Sequence, residues 1–413
     1  MSDLPWQTDD YFVSPWNYQP EVTEGMTPPA RLSVHDVTLR DGEQQAGVVF
    51  TADEKVRIAE TLAEAGVDRI EASLPAVSPA DMEAVKRIAA AGLPSRVFAF
   101  SRCMVSDVEL ALEAGVKGIV MEVPASRHII ELAYRWPYER AIDATVESTR
   151  FAHEHGLEVI FFPIDSTRAD IGEFLDLIQT IERDGHMDGL VLVDTFGVLN
   201  PAATSYMVRK VQERISKPLE THFHMDFGLG VANTVTAVAQ GVGTVQVSVT
   251  GIGERSGNVP LEDTVMALKM LYGVESGIDL SKLYGLSKLV RELAGLPVPP
   301  NRAVVGDKIF HVESGIITTW VKNVGQEHLT EAFPFRPEFV GQIGPEIVLG
   351  KGSGLDSVHI WLDRLGLPSA NDEEAMEILQ RVKARGLAKK GLLDEDEFHH
   401  IAVDVLPGSA TGA

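Results

Sequence analysis

The chain has one cysteine, Cys103, in 413 residues. That excludes an intramolecular disulfide framework and any multi-cysteine metal site. Cys103 itself reads as a small buried residue rather than a nucleophile. Positive charge is also scarce: 36 Lys and Arg stand against 60 Asp and Glu, a net charge of −24. So acidic a chain excludes nucleic acid and anionic membrane as general partners, and an anionic substrate has to be drawn in by a local positive pocket. No apolar run is long enough to span a bilayer, and no basic segment precedes an apolar one at the start. A cytoplasmic protein is therefore expected. What remains is an ordinary globular composition, 45% hydrophobic and 23% charged, with length for one large domain and additions.

Residues 1–30 are rich in Pro, Asp and Glu and carry Trp6, Tyr11, Phe12, Trp16 and Tyr18 without periodicity. They read as an irregular arm whose aromatics pack on another surface, of its own domain or of a second subunit. From about 32 to 270 the chain alternates. Apolar β-type runs stand at 33–39, 68–72, 96–100, 117–123, 157–163, 189–194, 218–223 and 244–249, with helical patterns such as Ala52–Ala65, Pro79–Ala91, Asp107–Ala114, Ala141–His155 and Ile171–Asp184 between them. Gly66, Gly92, Gly115, Gly156 and Gly241 fall where helix C-caps are needed. A doubly wound sheet shares such alternation. Eight near-equal units, with reactive residues at several strand ends, favour a (β/α)8 TIM barrel over residues 31–275. Residues 276–413 read as linker helices and small, mostly helical C-terminal subdomains, ending in a Gly-Ser-Ala-Thr-Gly-Ala tail expected to be disordered.

Barrel active sites lie at the C-terminal ends of the strands. Arg40-Asp41, Glu71, Asp194-Thr195 and the pair His222/His224 all fall at such ends. Residues two apart in a strand share a face, so His222 and His224 can aim both imidazoles into one pocket. An Asp from another strand end completes a three-ligand N/O site with open positions, as a catalytic divalent metal requires. Taken singly, each signal has a blander reading: a strand-end ion pair for Arg40-Asp41, satisfied polar residues for the histidines, turn residues for Asp194-Thr195. Glu43 reads as solvated or ion-paired, and Lys383, Lys389 and Lys390 as a solvated helix face.

Three segments together carry a resemblance: Thr38-Leu39-Arg40-Asp41-Gly42-Glu43-Gln44, His222-x-His224-x-Asp226, and Gly251-Ile252-Gly253-Glu254-Arg255-Ser256-Gly257-Asn258. The chain resembles the DRE-TIM metallolyases, on the branch of the 2-isopropylmalate, homocitrate and citramalate synthases, over roughly residues 32–360. The resemblance implies that Asp41, His222, His224 and Asn258 hold a divalent cation, whether Mg, Mn or Zn. It implies a catalytic set of Arg40, Gln44 and Glu71 and a substrate-binding set of Arg40, Thr195, Glu220 and Arg102, while His311 joins the catalytic set only as a sequence neighbour standing in for a family His that this chain lacks. The implied reaction condenses an acyl-CoA co-substrate with a 2-oxo acid and then hydrolyses the thioester, in a homodimer. The alternative is a metal-dependent lyase or aldolase acting on a 3-hydroxy acid or its CoA thioester.

The departures from that pattern concern proton transfer. Ile164 stands where the synthases carry a Glu, in Phe162-Pro163-Ile164-Asp165-Ser166-Thr167-Arg168. Ile317 replaces the last His of their His-Glu-Ser-Gly-Ile-His, and Gly352 replaces the His of Gly-Lys-His-Ser-Gly. Claisen chemistry needs a base within reach of the acyl methyl group, and His311, Tyr134 and His128 are the candidates to supply it. A non-standard 2-oxo acid, bulkier or more apolar against Ile164, is expected.

Overall fold

Eight short parallel strands close on themselves in the computed structural model, which describes residues 4–406. They are β1 (Ser33–Asp36), β2 (Arg69–Glu71), β3 (Arg96–Arg102), β4 (Gly118–Pro124), β5 (Glu158–Ile164), β6 (Gly189–Asp194), β7 (Leu219–Phe223) and β8 (Thr244–Val247). Each pairs with its sequence neighbours, and β8 returns to β1 through Ser33 opposite Thr244. The TIM barrel expected from the alternation is present. Helices separate the strands: Ala52–Glu64, Pro79–Ala90, Val105–Ala114, Tyr138–Glu154, Ile171–Asp184, Pro201–Gln212, Gly230–Ala239 and Leu261–Tyr272. The chain can stop these helices sharply because all five anticipated cap glycines hold positive φ, from 67 to 95°.

The register sorts side chains into an outer, helix-facing set and an interior set. Opposite positions run His35, Arg69, Arg96 on one side and Gln246, His222, Val193 on the other. The interior is apolar between β3 and β6, where Phe98, Phe100, Val120, Ile160, Phe162 and Val191 form one cluster. Polar residues fill the remaining arc. Below the mouth, Arg69 pairs with Glu220, and Gln246 donates to Glu220 at 3.0 Å. An apolar wall opposite a polar one gives the opening two chemically distinct sides.

The chain divides into two compact units: Ser14–Pro299 with Ala303–Val305, and Met1–Val13 with Pro300–Arg302 and Gly306–Ala413. The boundaries differ from those expected at 30 and 275. Helix Leu283–Ala294, assigned above to a linker, buries Leu283, Leu286 and Val290 in the barrel unit. It is reached by a segment tied to the barrel by the Asp279 N–H to Ala65 O bond and by Lys282 donating to Glu64 O. The N-terminal arm is split. Tyr18 donates to Met270 O at 2.7 Å within the barrel unit, whereas Tyr11 bridges Phe335 in the second.

That second unit is mostly helical, as expected. Helices Gly315–Val324, Leu355–Arg364, Asp372–Lys389 and Glu395–Val405 accompany a two-stranded sheet, β9 (His311–Val312) with β10 (Glu346–Ile347). Its core gathers Leu349, Val358, Trp361, Ile378, Val382 and Phe398. The Gly-Ser-Ala-Thr-Gly-Ala tail lies outside the described residues. Among the described residues no helix is long and apolar enough to cross a membrane.

Candidate metal centre at the barrel mouth

The cluster is built from two strand exits and one glycine-rich loop. Beyond β1 the chain turns at Val37–Arg40, leaving Arg40 and Asp41 buried at the mouth. On β7 the two-residue repeat stacks Glu220, His222 and then His224 up the interior face. Ligating atoms of Asp41, His222 and His224 all lie within 4.8 Å of one another. His222 Nε2 is 3.2 Å from His224 Nε2 and 3.6 Å from an Asp41 carboxylate oxygen.

Hydrogen bonding decides which nitrogen of His222 is free. Gln246 spends its amide N–H on Glu220, so its carbonyl Oε1 accepts from His222 Nδ1 at 3.1 Å. The protonated nitrogen thus faces away from the cluster, and the Nε2 lone pair points into it, the usual device for orienting a ligating imidazole. Burial, followed by the neighbouring His224 and Arg40, pulls the His222 pKa down to about 3, against the opposing pull of Asp41. His224 is lowered as well, chiefly by burial. Burial pushes Asp41 up, but Arg40, the two histidines and Asn258 outweigh it and hold the carboxyl well below its ordinary range. Two neutral imidazoles and one anionic carboxylate at neutral pH make a competent donor set.

Asn258 completes the cluster. Its amide nitrogen donates to Asp41 at 2.6 Å and to Ile252 O at 3.0 Å, while Oδ1 is buried with no partner among the described residues. An orphaned buried acceptor beside two facing imidazole nitrogens is what a site shaped around a cation leaves behind. The residues present fit a divalent metal. Only glycine permits the loop that holds Asn258. At Gly253 (φ 153°) an added Cβ would stand 2.3 Å from the Asn258 amide and 3.1 Å from Asp41, and at Gly257 (φ 84°) 1.9 Å from Gly251 O.

Arg40 lies beside the cluster, its guanidinium carbon 4.0 Å from the centre of the Phe100 ring. Nη1 donates to Asp41 at 2.7 Å, and Nε is paired with Glu71, whose other oxygen lies 3.5 Å from His35. Nη2 is buried and has no partner among the described residues. The side chain is therefore clamped through Nε and Nη1, with the Nη2 amino group left over.

A family profile described as HMGL-like matches residues 31–290. Homocitrate synthase AksA of Methanopyrus kandleri is 39% identical over 369 residues, covering 89% of this chain and 91% of that protein. The chain belongs to the HMGL-like family. The (R)-citramalate synthase CimA of Methanocaldococcus jannaschii is 38% identical, covering 88% of this HMGL-like chain and 73% of the relative. The 2-isopropylmalate synthase of the same organism is 36% identical, with 90% and 71% covered. The resemblance to the DRE-TIM metallolyases on their synthase branch is borne out. Among solved structures, an HMG-CoA lyase from Bacillus subtilis superposes with a TM-score of 0.60 at 23% identity, over 66% of this chain and 97% of that one. It shares the fold.

The remaining expected residues of this HMGL-like chain are dispersed. Thr195 is half-buried just past β6, and its hydroxyl oxygen accepts the Asp165 N–H at 2.8 Å, leaving its own proton to donate. Gln44 is exposed, on a cleft shared with Arg40, Glu43 and the buried Lys55. Glu220, expected to bind substrate, lies a layer below His222 and is engaged by Arg69 and Gln246. The strand repeat that lifts His222 to the mouth puts Glu220 beneath it. Arg102, expected likewise, is half-exposed and spends its guanidinium on both oxygens of Asp107, at 2.8 and 2.9 Å. His311 belongs to the second unit, where Nε2 is 3.3 Å from Glu346. His128 turns to Asp165 at 3.1 Å, and Tyr134 to Glu122 at 3.2 Å. Sequence reasoning missed Gln246 and Glu122. Both sit on the interior parity of their strands, and a charged residue in an apolar strand such as Gly118–Pro124 is the signal that was there to find.

Proposed function

We propose that this chain condenses an acyl-CoA with a 2-oxo acid in a divalent-metal-dependent, Claisen-type reaction that ends in thioester hydrolysis. One observation carries the reading: a carboxylate, two neutral imidazoles and an orphaned amide oxygen converge at a barrel mouth beside an arginine with an unpaired buried N–H. A cation held by Asp41, His222, His224 and Asn258 would supply Lewis-acid polarisation of the 2-oxo carbonyl. The donor set suits Mg, Mn and Zn alike.

The protein's own part follows from its hydrogen bonding. Arg40 Nη2 offers a permanently charged donor to the oxygen on which negative charge develops, and the clamps from Asp41 and Glu71 keep it from reorienting. The free Thr195 proton is available to the substrate carboxylate. Glu71 acts through Arg40, and Glu220 through Gln246 and His222, so both are positioning residues. The direction proposed is condensation, because relatives at 36–39% identity carry synthase names. A non-standard acceptor is part of the reading, supported by Ile164 and Ile317 at positions where the synthases are polar. So is a cytoplasmic homodimer with acyl-CoA as co-substrate, supported by the resemblance. Light scattering at twice 44.9 kDa would agree with the dimer.

The test is thiol release from acetyl-, propionyl- and succinyl-CoA across a panel of 2-oxo acids, with metal-stripped enzyme as control. Metal-dependent release that requires one 2-oxo acid is the expected outcome and identifies the acceptor. Silence across the panel from metal-loaded enzyme would overturn the reading.

A further inference from the structure

Among the described residues, most carboxyls at the strand exits are committed to partners: Asp194 accepts from Thr167, Val198 and Leu199, Asp165 from Ser126 and Arg168, and Asp226 from Arg255. Asp41 belongs to the metal cluster, Glu71 pairs with Arg40, and Asp107 chelates Arg102. Glu122 is left. It projects from the interior face of β4, in register with Arg102 on β3 and Phe162 on β5, and is 7% exposed. Its only side-chain hydrogen bond among the described residues comes from the Tyr134 hydroxyl, 3.2 Å from Oε1. Oε2 is uncommitted.

Tyr134 ends a π-helical turn, Ile130–Tyr134, and is followed by Arg135 at φ 56° and braced edge-on by Trp136 at 5.5 Å. Such turns are frequent at functional sites. Tyr134 is 40% exposed while Glu122 is buried, so the pair runs from the barrel interior towards solvent. The adjoining wall is apolar: Phe162 stands beside Glu122, its ring 5.7 Å from Phe100 and 4.8 Å from the His222 imidazole. Ile164, one layer higher on β5, has no proton to exchange.

We propose that Glu122 is the base that takes the acyl-CoA methyl proton, with Tyr134 as the residue that positions its carboxyl. The assignment rests on the condensation reading above. Glu122 Oε2 accepts the methyl proton, and the released C–H pair forms the bond to the carbonyl carbon of the 2-oxo acid. The carbonyl π pair becomes an alkoxide lone pair beside Arg40. The proton held on Glu122 then passes to that alkoxide, which regenerates the carboxylate.

The charged and titratable groups that face Glu122 are Arg40 from the β1 exit, Arg102 and Cys103 from the end of β3, Asp107 from the helix that follows, and Tyr134. Burial dominates and pushes the carboxyl above the ordinary glutamate value, Tyr134, Arg40 and Arg102 pull against it, and Asp107 adds to the rise. A base raised in this way sits closer to the pH at which it works. Activity should therefore climb with pH along an acidic limb whose midpoint lies above the ordinary glutamate range.

The experiment is steady-state kinetics of metal-loaded wild type, Glu122→Gln, Glu122→Asp and Tyr134→Phe with acetyl-CoA and the 2-oxo acid that the thiol-release panel selects. Glu122→Gln should lose about 10²- to 10⁴-fold in kcat with KM for the 2-oxo acid little changed. It should also lose the acidic limb and show a larger isotope effect with methyl-deuterated acetyl-CoA. Glu122→Asp should retain the limb. Tyr134→Phe removes a hydrogen bond that favours the carboxylate, so the limb should move to higher pH. Glu122→Gln with wild-type kcat, or with only a raised KM, would assign Glu122 to packing or to substrate selection and overturn the proposal. Wild-type silence across the whole thiol-release panel would remove the condensation reading and this assignment with it, whereas an active wild type with an unaffected variant removes the assignment alone.

Discussion

At the scale of single residues, the site depends on groups that never touch a ligand. Gln246 is the clearest case, since its two amide ends join Glu220 below to His222 above. Replacing it with Leu frees His222 Nδ1 and lets the ring adopt either tautomer. Loss of such an orienting partner lowers metal affinity by about 10- to 100-fold, and we expect that for Gln246→Leu with secondary structure retained. Titration of stripped protein with zinc or manganese, followed calorimetrically, would show it. An unchanged affinity would mean that the strand alone holds the ring. His222 and His224 were legible without the fold, because a two-residue spacing in a strand puts both on one face. Gln246 was not: the expected barrel sets β8 beside β7, but nothing in the sequence fixes the register that brings Gln246 level with His222.

At the scale of elements, the glycine-rich loop is the part with the least tolerance. Its path brings backbone against Asn258 and Asp41 so closely that a single methyl group cannot be accommodated at position 253. Gly253→Ala should therefore weaken metal binding more than it weakens the fold: the side chains it strikes, Asn258 and Asp41, are the proposed ligands, while the barrel closure between β8 and β1 is untouched. Thermal melts with and without metal separate the two. The expected result is a smaller metal-induced rise in Tm with a nearly unchanged metal-free Tm, and a collapse of the metal-free Tm would count against it. The strand and helix positions followed from periodicity and agreed to within a few residues. The pairing of Glu220 with Arg69 and of Arg102 with Asp107 was not legible, because periodicity assigns a face and says nothing of depth or of local partners.

At the scale of the whole molecule, the net charge of −24 acts against an anionic co-substrate. Exposed charge is screened over about 30 Å at 0.01 M salt and about 8 Å at 0.15 M. For acyl-CoA, kcat/KM should consequently rise as NaCl increases across that range, while kcat stays level. A fall would reveal a local positive patch strong enough to reverse the global repulsion. The division into two units also operates at this scale. His311 was placed with the catalytic residues as a sequence neighbour of the missing family His, and the fold assigns it to the unit that carries β9 and β10.

What the sequence determined by itself was the set of elements and the residues of the candidate metal cluster. Strand and helix periods, cap glycines and the spacing of Asp41, His222, His224 and Asn258 are local or motif-level properties, written in residue order. What only the tertiary structure decided was which side chains are committed to one another. Glu220 is spent on Arg69 and Arg102 on Asp107, while Arg40 keeps one donor and Glu122 one oxygen. The physical reason is that desolvated charges at a barrel mouth must find partners across strands far apart in the chain, and the register of the closed sheet alone determines which of them can meet.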